Sequence, residues 1–274
     1  MTRSWSADDA QRVLGRPTVD DDKYSRGVVG MRTGSRQFPG AAVLGVEGAW
    51  RTGVGMVRYV GPDRPARFVL ARRPETVTVA GRAHTWVLGS GTNAQERTDA
   101  ESDALRAILG GTDPVVVDAG ALDLAASATA PVVVTPHAGE HARLRETLGL
   151  DPTTARNPSS AAETAAALDA VVLLKGALTV IAAPDGWECH IEAPTSWLAT
   201  AGTGDVLAGV LGAVTAGAAA RAASVSLAEC AATAVWLHGH AAQLASSAVG
   251  GGPITALDVA EHLPIVVGRL LGAA

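Results

Sequence analysis

Three short runs of consecutive aliphatic residues constrain this chain most: Pro114 to Asp118, Pro131 to Thr135, and Val171 to Leu174. Alternating apolar and polar positions would mark strands with one wet face, whereas unbroken Val and Leu mark strands covered on both faces. A sheet covered on both sides needs helical layers, and the segments between the runs are long enough to supply them. The chain therefore reads as α/β with an interior, mostly parallel sheet. Its 274 residues are 47% hydrophobic and only 4% aromatic, which predicts a sizeable core of small, close-packed aliphatic side chains.

The remaining elements follow in order. Residues 1–22 read as a short acidic lead, and 23–274 as a single domain without linker or internal repeat. A strand over Gly27–Thr33, a Gly-rich loop over Gly34–Gly40, a helix over Ala41–Thr52 and a strand over Met56–Val60 make a β-loop-α-β opening. Arg67–Val79 reads as extended but irregular, and Thr85–Leu88 as a strand ending in Gly89-Ser90-Gly91. Helices are predicted over Arg97–Leu109, Glu140–Leu148, Ala161–Leu168, Leu227–Leu244 and Leu257–Leu271, the last with a kink at Pro264. Leu178–Ala183 and Trp187–Ile191, joined by Pro184-Asp185-Gly186, read as a hairpin that adds antiparallel strands.

Several function classes are disfavoured. A net charge of −5 and a pI near 5.8 provide no basic stripe, so no nucleic-acid partner is expected. Cys189 and Cys230 are too few for a disulfide framework and read as packing residues. The amino terminus lacks the apolar segment of a signal peptide, and the apolar stretches are broken before the ~20 residues of a membrane span, so a cytoplasmic protein without membrane contact is expected.

The chemistry concentrates in Ala199-Thr200-Ala201-Gly202-Thr203-Gly204-Asp205-Val206-Leu207-Ala208-Gly209. Leu207, Val210, Leu211 and Val214 follow at helical spacing, placing Asp205 in the first turn of a helix. Side-chain-free turns expose backbone N–H groups to an anion, and the new helix adds partial positive charge. Two readings of Asp205 fit: a helix N-cap, or a base that takes a hydroxyl proton while phosphorus is attacked. Other loops directly follow strands, at Gly89–Gly91, Asp118–Gly120, Thr135–Gly139 and Lys175-Gly176, and parallel sheets bind ligands at that edge. Lys175 suits either a phosphate or a snorkelling position at the sheet edge. His137, with Glu140 capping or orienting the following helix, reads as ligand-facing or as a solvated loop histidine. The H-x-x-E-H pattern from His137 to His141 is interrupted by Gly139, which argues against zinc on one continuous helix. His238 and His240 lie two apart on a helix and read as surface or packing residues. Gly202-x-Gly204 lacks the third glycine of a dinucleotide fingerprint, and no Walker sequence occurs.

Taken in order, Thr135-Pro136-His137-x-Gly139-Glu140, Lys175-Gly176-Ala177-x-Thr179 and the Ala199–Gly209 turn resemble the bacterial ADP-dependent NAD(P)H-hydrate dehydratases. Lys23–Gly27, Pro39–Ala42 and Val116-Val117-Asp118-Ala119 are similar too, and the likeness spans about residues 23–271. The resemblance implies a ribokinase-like three-layer α/β/α sandwich. It implies restoration of the S-epimer of hydrated NADH or NADPH, with ADP as phosphoryl donor and AMP and phosphate as products. Asp205 would be the catalytic base, and the N–H groups of Ala201, Gly202, Thr203 and Gly204 the anion hole. Lys175, Gly176, Ala177, Leu178, Thr179 and Gly204 would contact the nucleotide, and Ala42, Gly89, Gly91, His137 and Asp205 the hydrate. The resemblance further implies Mg²⁺ with no assigned protein ligands, a separate epimerase, and a homo-oligomer, specifically a homotetramer. The chain departs from the family pattern at Gly89-Ser90-Gly91-Thr92-Asn93, where Gly-Pro-Gly-Leu-Gly is common, and at Arg32, where a small apolar residue is expected. Alternative functions are a small-molecule kinase of the same fold and a non-catalytic nucleotide-binding protein.

Overall fold

The valine runs form the middle of a single eight-stranded sheet in a computed structural model that describes residues 3–272. The strands are β1 (Val28–Arg32), β2 (Met56–Tyr59), β3 (Thr85–Leu88), β4 (Val115–Val117), β5 (Val132–Val134), β6 (Val171–Leu174), β7 (Leu178–Ala182) and β8 (Glu188–Glu192). Their order is β2-β1-β3-β4-β5-β6-β7-β8. All pairings up to β5–β6 are parallel, and β7 and β8 add as the antiparallel hairpin. Val116 and Val133 pair in register and face one layer, while Val115, Val117, Val132 and Val134 face the other. Both faces are thus dry, as unbroken valine requires.

The helices are α1 (Ala7–Val13), α2 (Pro39–Thr52), α3 (Asp63–Arg72), α4 (Asp99–Leu109), α5 (Ala138–Thr147), α6 (Ser159–Leu168), α7 (Thr203–Ala220), α8 (Leu227–Ala248) and α9 (Ala256–Leu271). One layer contains α2, α7, α8 and α9, and the other contains α4 to α6. Glycine lets α2 and α7 touch backbone to backbone. A Cβ on Gly209 would lie 2.0 Å from the Gly45 carbonyl oxygen, and one on Gly48 would lie 2.4 Å from that of Val206. This contact fixes the first turns of α7 against the middle of α2. By length and composition α7 is apolar enough to cross a bilayer, contrary to the sequence reading, yet 78% of it is buried as the core helix of this layer.

Two segments differ from expectation. Within residues 1–22, α1 is closed by a Ser6–Asp9 capping box, and Trp5, Ala10 and Val13 enter the core. Trp5 donates its indole N–H to Thr233 Oγ1 on α8 at 3.2 Å. The stretch read as extended from Arg67 begins inside α3, whose Pro65 and Val69 are buried while its arginines stay outside. Two buried positions among five arginine and alanine residues form too narrow a stripe to show helical period in sequence, and proline is tolerated in a first turn. The last helix runs through Pro264 to Leu271.

Arg72 and Arg73, at the end of α3, converge with Arg51 on Glu47 of α2 at 2.7, 2.5 and 2.6 Å. Burial alone would raise the pKa of this fully buried carboxyl. The hydrogen bonds from Arg73, Arg51 and Arg72 overcome burial and hold it below the usual glutamate range. Both cysteines are free and buried, with burial pushing the Cys189 thiol up to about 11 and the Cys230 thiol up to about 12.

Candidate active site

Parallel strands β3 to β6 end on the same edge of the sheet, and their following residues converge there. Lys175 directly follows β6, and its Nζ donates to Asp118 Oδ1, directly after β4, at 2.8 Å. Ser90, after β3, donates to Asp118 Oδ2 at 2.8 Å, and Thr135, after β5, donates to Oδ1 at 2.8 Å. Asp118 is thereby held from three strand ends. Lys175 also lies 3.8 Å from Glu140 Oε2. Burial opposes its charge, but the Asp118 and Glu140 carboxylates prevail and keep the ammonium above its usual pKa.

The α7 turn closes this cluster. Gly202 is the N-cap at φ 90°, a left-handed conformation that glycine adopts without strain, and Asp205 is the third residue of the helix. The capping reading of Asp205 is therefore corrected: its side chain caps nothing and has no hydrogen-bond partner among the described residues. Burial and then the Asp118 charge push its carboxyl up to about 7, against the opposing pull of Lys175. An acid with that pKa is poised to accept a proton near neutral pH.

The N–H groups of Ala201, Gly202 and Gly204 have no acceptor among the described residues. Thr203 departs from the expected anion hole because its N–H already donates to the Thr200 carbonyl at 3.3 Å. Gly204 abuts the lysine: a Cβ there would lie 3.7 Å from Lys175 Nζ. The His238 imidazole, buried on α8, donates to the Thr203 carbonyl at 2.9 Å and is driven down to about 4 by burial, so it is a neutral prop for this turn.

His137 caps α5. Its Nδ1 accepts from the Gly139 N–H at 3.0 Å, while Glu140 Oε2 accepts from the His137 N–H at 2.8 Å. Nδ1 acting as acceptor leaves Nε2 as the protonated nitrogen, on a ring whose side chain is 57% exposed. The Lys175 N–H donates to the Pro136 carbonyl at 2.8 Å and ties this loop to β6. His141 faces away, into bonds with Ala155 O and Thr164 Oγ1 at 2.9 and 2.8 Å.

The glycine loops complete the edge. Gly34 donates to the Ser90 carbonyl at 2.7 Å, and Gly91, at φ 67°, lies where a Cβ would be 2.2 Å from Ala41. Gly89, at φ 93°, packs just as closely on the Asp118 carbonyl. Ala42, expected to touch the hydrate, is instead fully buried, its methyl packed beneath Gly34 where a Cβ would lie 2.9 Å away. Gly176, Ala177 and Leu178 form the exposed β6–β7 turn, and Thr179 Oγ1 donates back to the Gly176 carbonyl at 3.1 Å. Arg32 bonds Glu101 of α4 at 2.7 Å and the Val60 carbonyl at 2.8 Å, which accounts for an arginine in place of a small residue. A recess of about 530 Å³ opens beside the cluster, with Asn93, Gly120, Glu140 and Arg143 among its walls.

Asp118 is the central residue that sequence reasoning left outside the candidate site residues, although its loop was placed at this edge. Its signal was an acid directly after three consecutive valines, where a charge has no structural reason to exist. Among the described residues no group of three or more His, Cys, Asp or Glu is arranged for a metal ion.

Comparisons with known proteins agree with this geometry. The family model described as NAD(P)H-hydrate dehydratase matches residues 29–264. The bifunctional NAD(P)H-hydrate repair enzyme Nnr of Mycobacterium leprae is 40% identical over 269 residues, covering 93% of this chain and 54% of that protein. The chain thus spans about half the length of that relative, and 37% of its Corynebacterium glutamicum counterpart. The ADP-dependent (S)-NAD(P)H-hydrate dehydratase of Bacillus subtilis is 29% identical, with 76% of this chain and 79% of that protein covered. A crystal structure of the Bacillus subtilis ADP/ATP-dependent NAD(P)H-hydrate dehydratase, co-crystallised with ATP and Mg²⁺, superposes with a TM-score of 0.83 at 27% identity, covering 98% and 99% of the two chains. An Enterococcus faecalis ribokinase-like superfamily protein superposes with a TM-score of 0.82 at 24% identity, a likeness of fold. With its eight-stranded sheet, its strand-end cluster and a family match across most of its length, the chain belongs to the NAD(P)H-hydrate dehydratase family.

Proposed function

We propose that this chain catalyses ADP-dependent dehydration of the S-epimer of hydrated NADH or NADPH, returning NAD(P)H and releasing AMP and phosphate. The observation that carries the reading is Asp205: a carboxyl raised to about 7, beside Lys175 and the free N–H groups that open α7. Asp205 takes the proton of the ring hydroxyl as its oxygen forms a bond to the β-phosphorus of ADP and the bond to the AMP oxygen breaks. The N–H groups of Ala201, Gly202 and Gly204, with Lys175, take up the charge on the transferring group. The ring nitrogen's electron pair then expels phosphate as the carbon–oxygen bond breaks, and loss of a ring proton restores the reduced nicotinamide.

Nucleotide contacts are assigned to the turn from Lys175 to Thr179 and to Gly204, and hydrate contacts to Gly89, Gly91, His137 and Asp205, with Ala42 supporting the loop from beneath. Mg²⁺ supplies charge screening on the nucleotide phosphates, as the Bacillus subtilis co-crystal with ATP and Mg²⁺ suggests. The proposal extends to a cytoplasmic homotetramer and to epimerisation of the hydrate by a separate protein. Incubation with the S-hydrates and either ADP or ATP should restore the absorbance of reduced nicotinamide and release phosphate. No recovery with either nucleotide overturns the reading, and a stable phosphorylated product identifies a kinase instead.

A further inference from the structure

We propose that Asp118 is a positioning residue of this site, anchoring Lys175 towards the incoming phosphates and away from Asp205. The inference rests on the roles given above to Lys175 and Asp205. Asp118 is 3% exposed, and its two oxygens receive Ser90, Thr135 and Lys175, each at 2.8 Å. Ser90 and Thr135 are themselves 1% exposed, so the carboxylate is clamped on its strand end. A carboxylate so bonded, with Lys175 Nζ as its one charged donor, is built to hold an ammonium in place.

Lys175 has three acids in its neighbourhood, the buried Asp118 and the half-buried Glu140 and Asp205, and its hydrogen bond goes to Asp118. A lysine paired with Asp205 would favour the charged carboxylate and remove its basicity near neutral pH. The charges acting on Asp205 are the Asp118 carboxylate, just after β4, and the Lys175 ammonium, just after β6, with Glu140 of α5 beyond them, 3.8 Å from Lys175. From α8 comes only the neutral His238, bonded to the Thr203 carbonyl. Asp118 therefore acts twice with one charge. It fixes the ammonium, and it adds to the field that keeps Asp205 able to take a proton.

The test compares wild type, Asp118→Asn, Thr135→Val, Lys175→Met and the Asp118→Asn/Lys175→Met double variant. Calorimetric titration with ADP and the pH profile of kcat/KM are the readouts. Asp118→Asn keeps the shape but loses the charge, so ADP binding should weaken about tenfold, and the acid limb should move to lower pH. Thr135→Val, which keeps the charge pair, should leave that limb in place. Lys175→Met should move it the opposite way. The double variant leaves no unpaired buried charge and should bind ADP no more weakly than Lys175→Met alone, because Asp118 works through the lysine.

An unmoved acid limb with ADP affinity within about twofold in Asp118→Asn would overturn the inference. So would a double variant markedly weaker than Lys175→Met, or a Thr135→Val limb displaced as far as that of Asp118→Asn. Should Asp118→Asn alone fail to fold, the double variant still decides. Failure of wild type to dehydrate the hydrates would sink the dehydratase reading while leaving the ADP titrations to judge the anchor.

Discussion

Glu47 on α2 and Asp205 on α7 are acids on two helices that touch through glycine, and their surroundings differ in the charged groups that reach them. Glu47 is fully enclosed by protein yet receives three guanidinium groups, so its pKa falls. Asp205 receives no hydrogen bond among the described residues, lies near a second carboxylate, and rises to about 7. Burial penalises both charges; three guanidinium donors overcome it at Glu47, while at Asp205 the Asp118 carboxylate adds to it. A saturated carboxylate ties α2 to α3, whereas a starved one is available for chemistry.

The same division appears among glycines of one motif. Gly209 is pressed onto the Gly45 carbonyl, while a Cβ on Gly204 would meet only Lys175 Nζ, at an ordinary contact distance of 3.7 Å. The first glycine builds the scaffold, whereas the second has room for a side chain.

The largest effect expected is on stability at Glu47. Glu47→Ala leaves three guanidinium groups converging on nothing and should cost about 3–5 kcal/mol, read from denaturant midpoints. Next is Asp205→Asn, which should lower the dehydration rate by at least ~10²-fold. The same variant should be more stable than wild type at pH 8, by about 1 kcal/mol or a Tm rise of roughly 3 °C. The folded pKa of Asp205 lies above its unfolded value, so its favourable contribution is complete at low pH and is lost as pH rises through about 7. Glu47 behaves oppositely: its contribution is present above the usual glutamate range and is lost as pH falls through its lowered pKa. A Glu47→Gln variant should accordingly show weaker acid destabilisation than wild type.

Smaller effects sharpen the glycine contrast. Gly209→Ala should destabilise by about 1–3 kcal/mol through overpacking, with the backbone of α2 unable to yield cheaply. Gly204→Ala should leave stability unchanged or raised by about 0.5 kcal/mol, since alanine favours helix, yet should weaken ADP binding. Equal losses of stability in both variants would erase the distinction.

Much of the scaffold was legible because buried strands announce themselves. Val115–Val117 and Val132–Val134 have no polar position to mislead, and the Pro184–Gly186 turn separates two clear strands. The α7 turn and Lys175 were legible through their spacing and through family resemblance. The first helix was not, since α1 is short and its burial depends on docking Trp5 against Thr233 far along the chain. Nor was α3, whose two inward positions acquire meaning only against α2. Asp118 illustrates the same limit at the site: its partners Ser90, Thr135 and Lys175 come from three separate loops, and local sequence carries no record of that meeting. Thr203 was placed among the anion donors by motif, while its N–H is consumed by a turn three residues long.

The contrast between the two acids is measured most directly by carboxyl ¹³C NMR on protein labelled at aspartate and glutamate, with Asp205→Asn and Glu47→Gln assigning the two resonances. Asp205 should titrate with a midpoint of about 7, and Glu47 below the ordinary glutamate value of 4.5. An Asp205 midpoint at the ordinary aspartate value of 3.8 would contradict its assignment as the base.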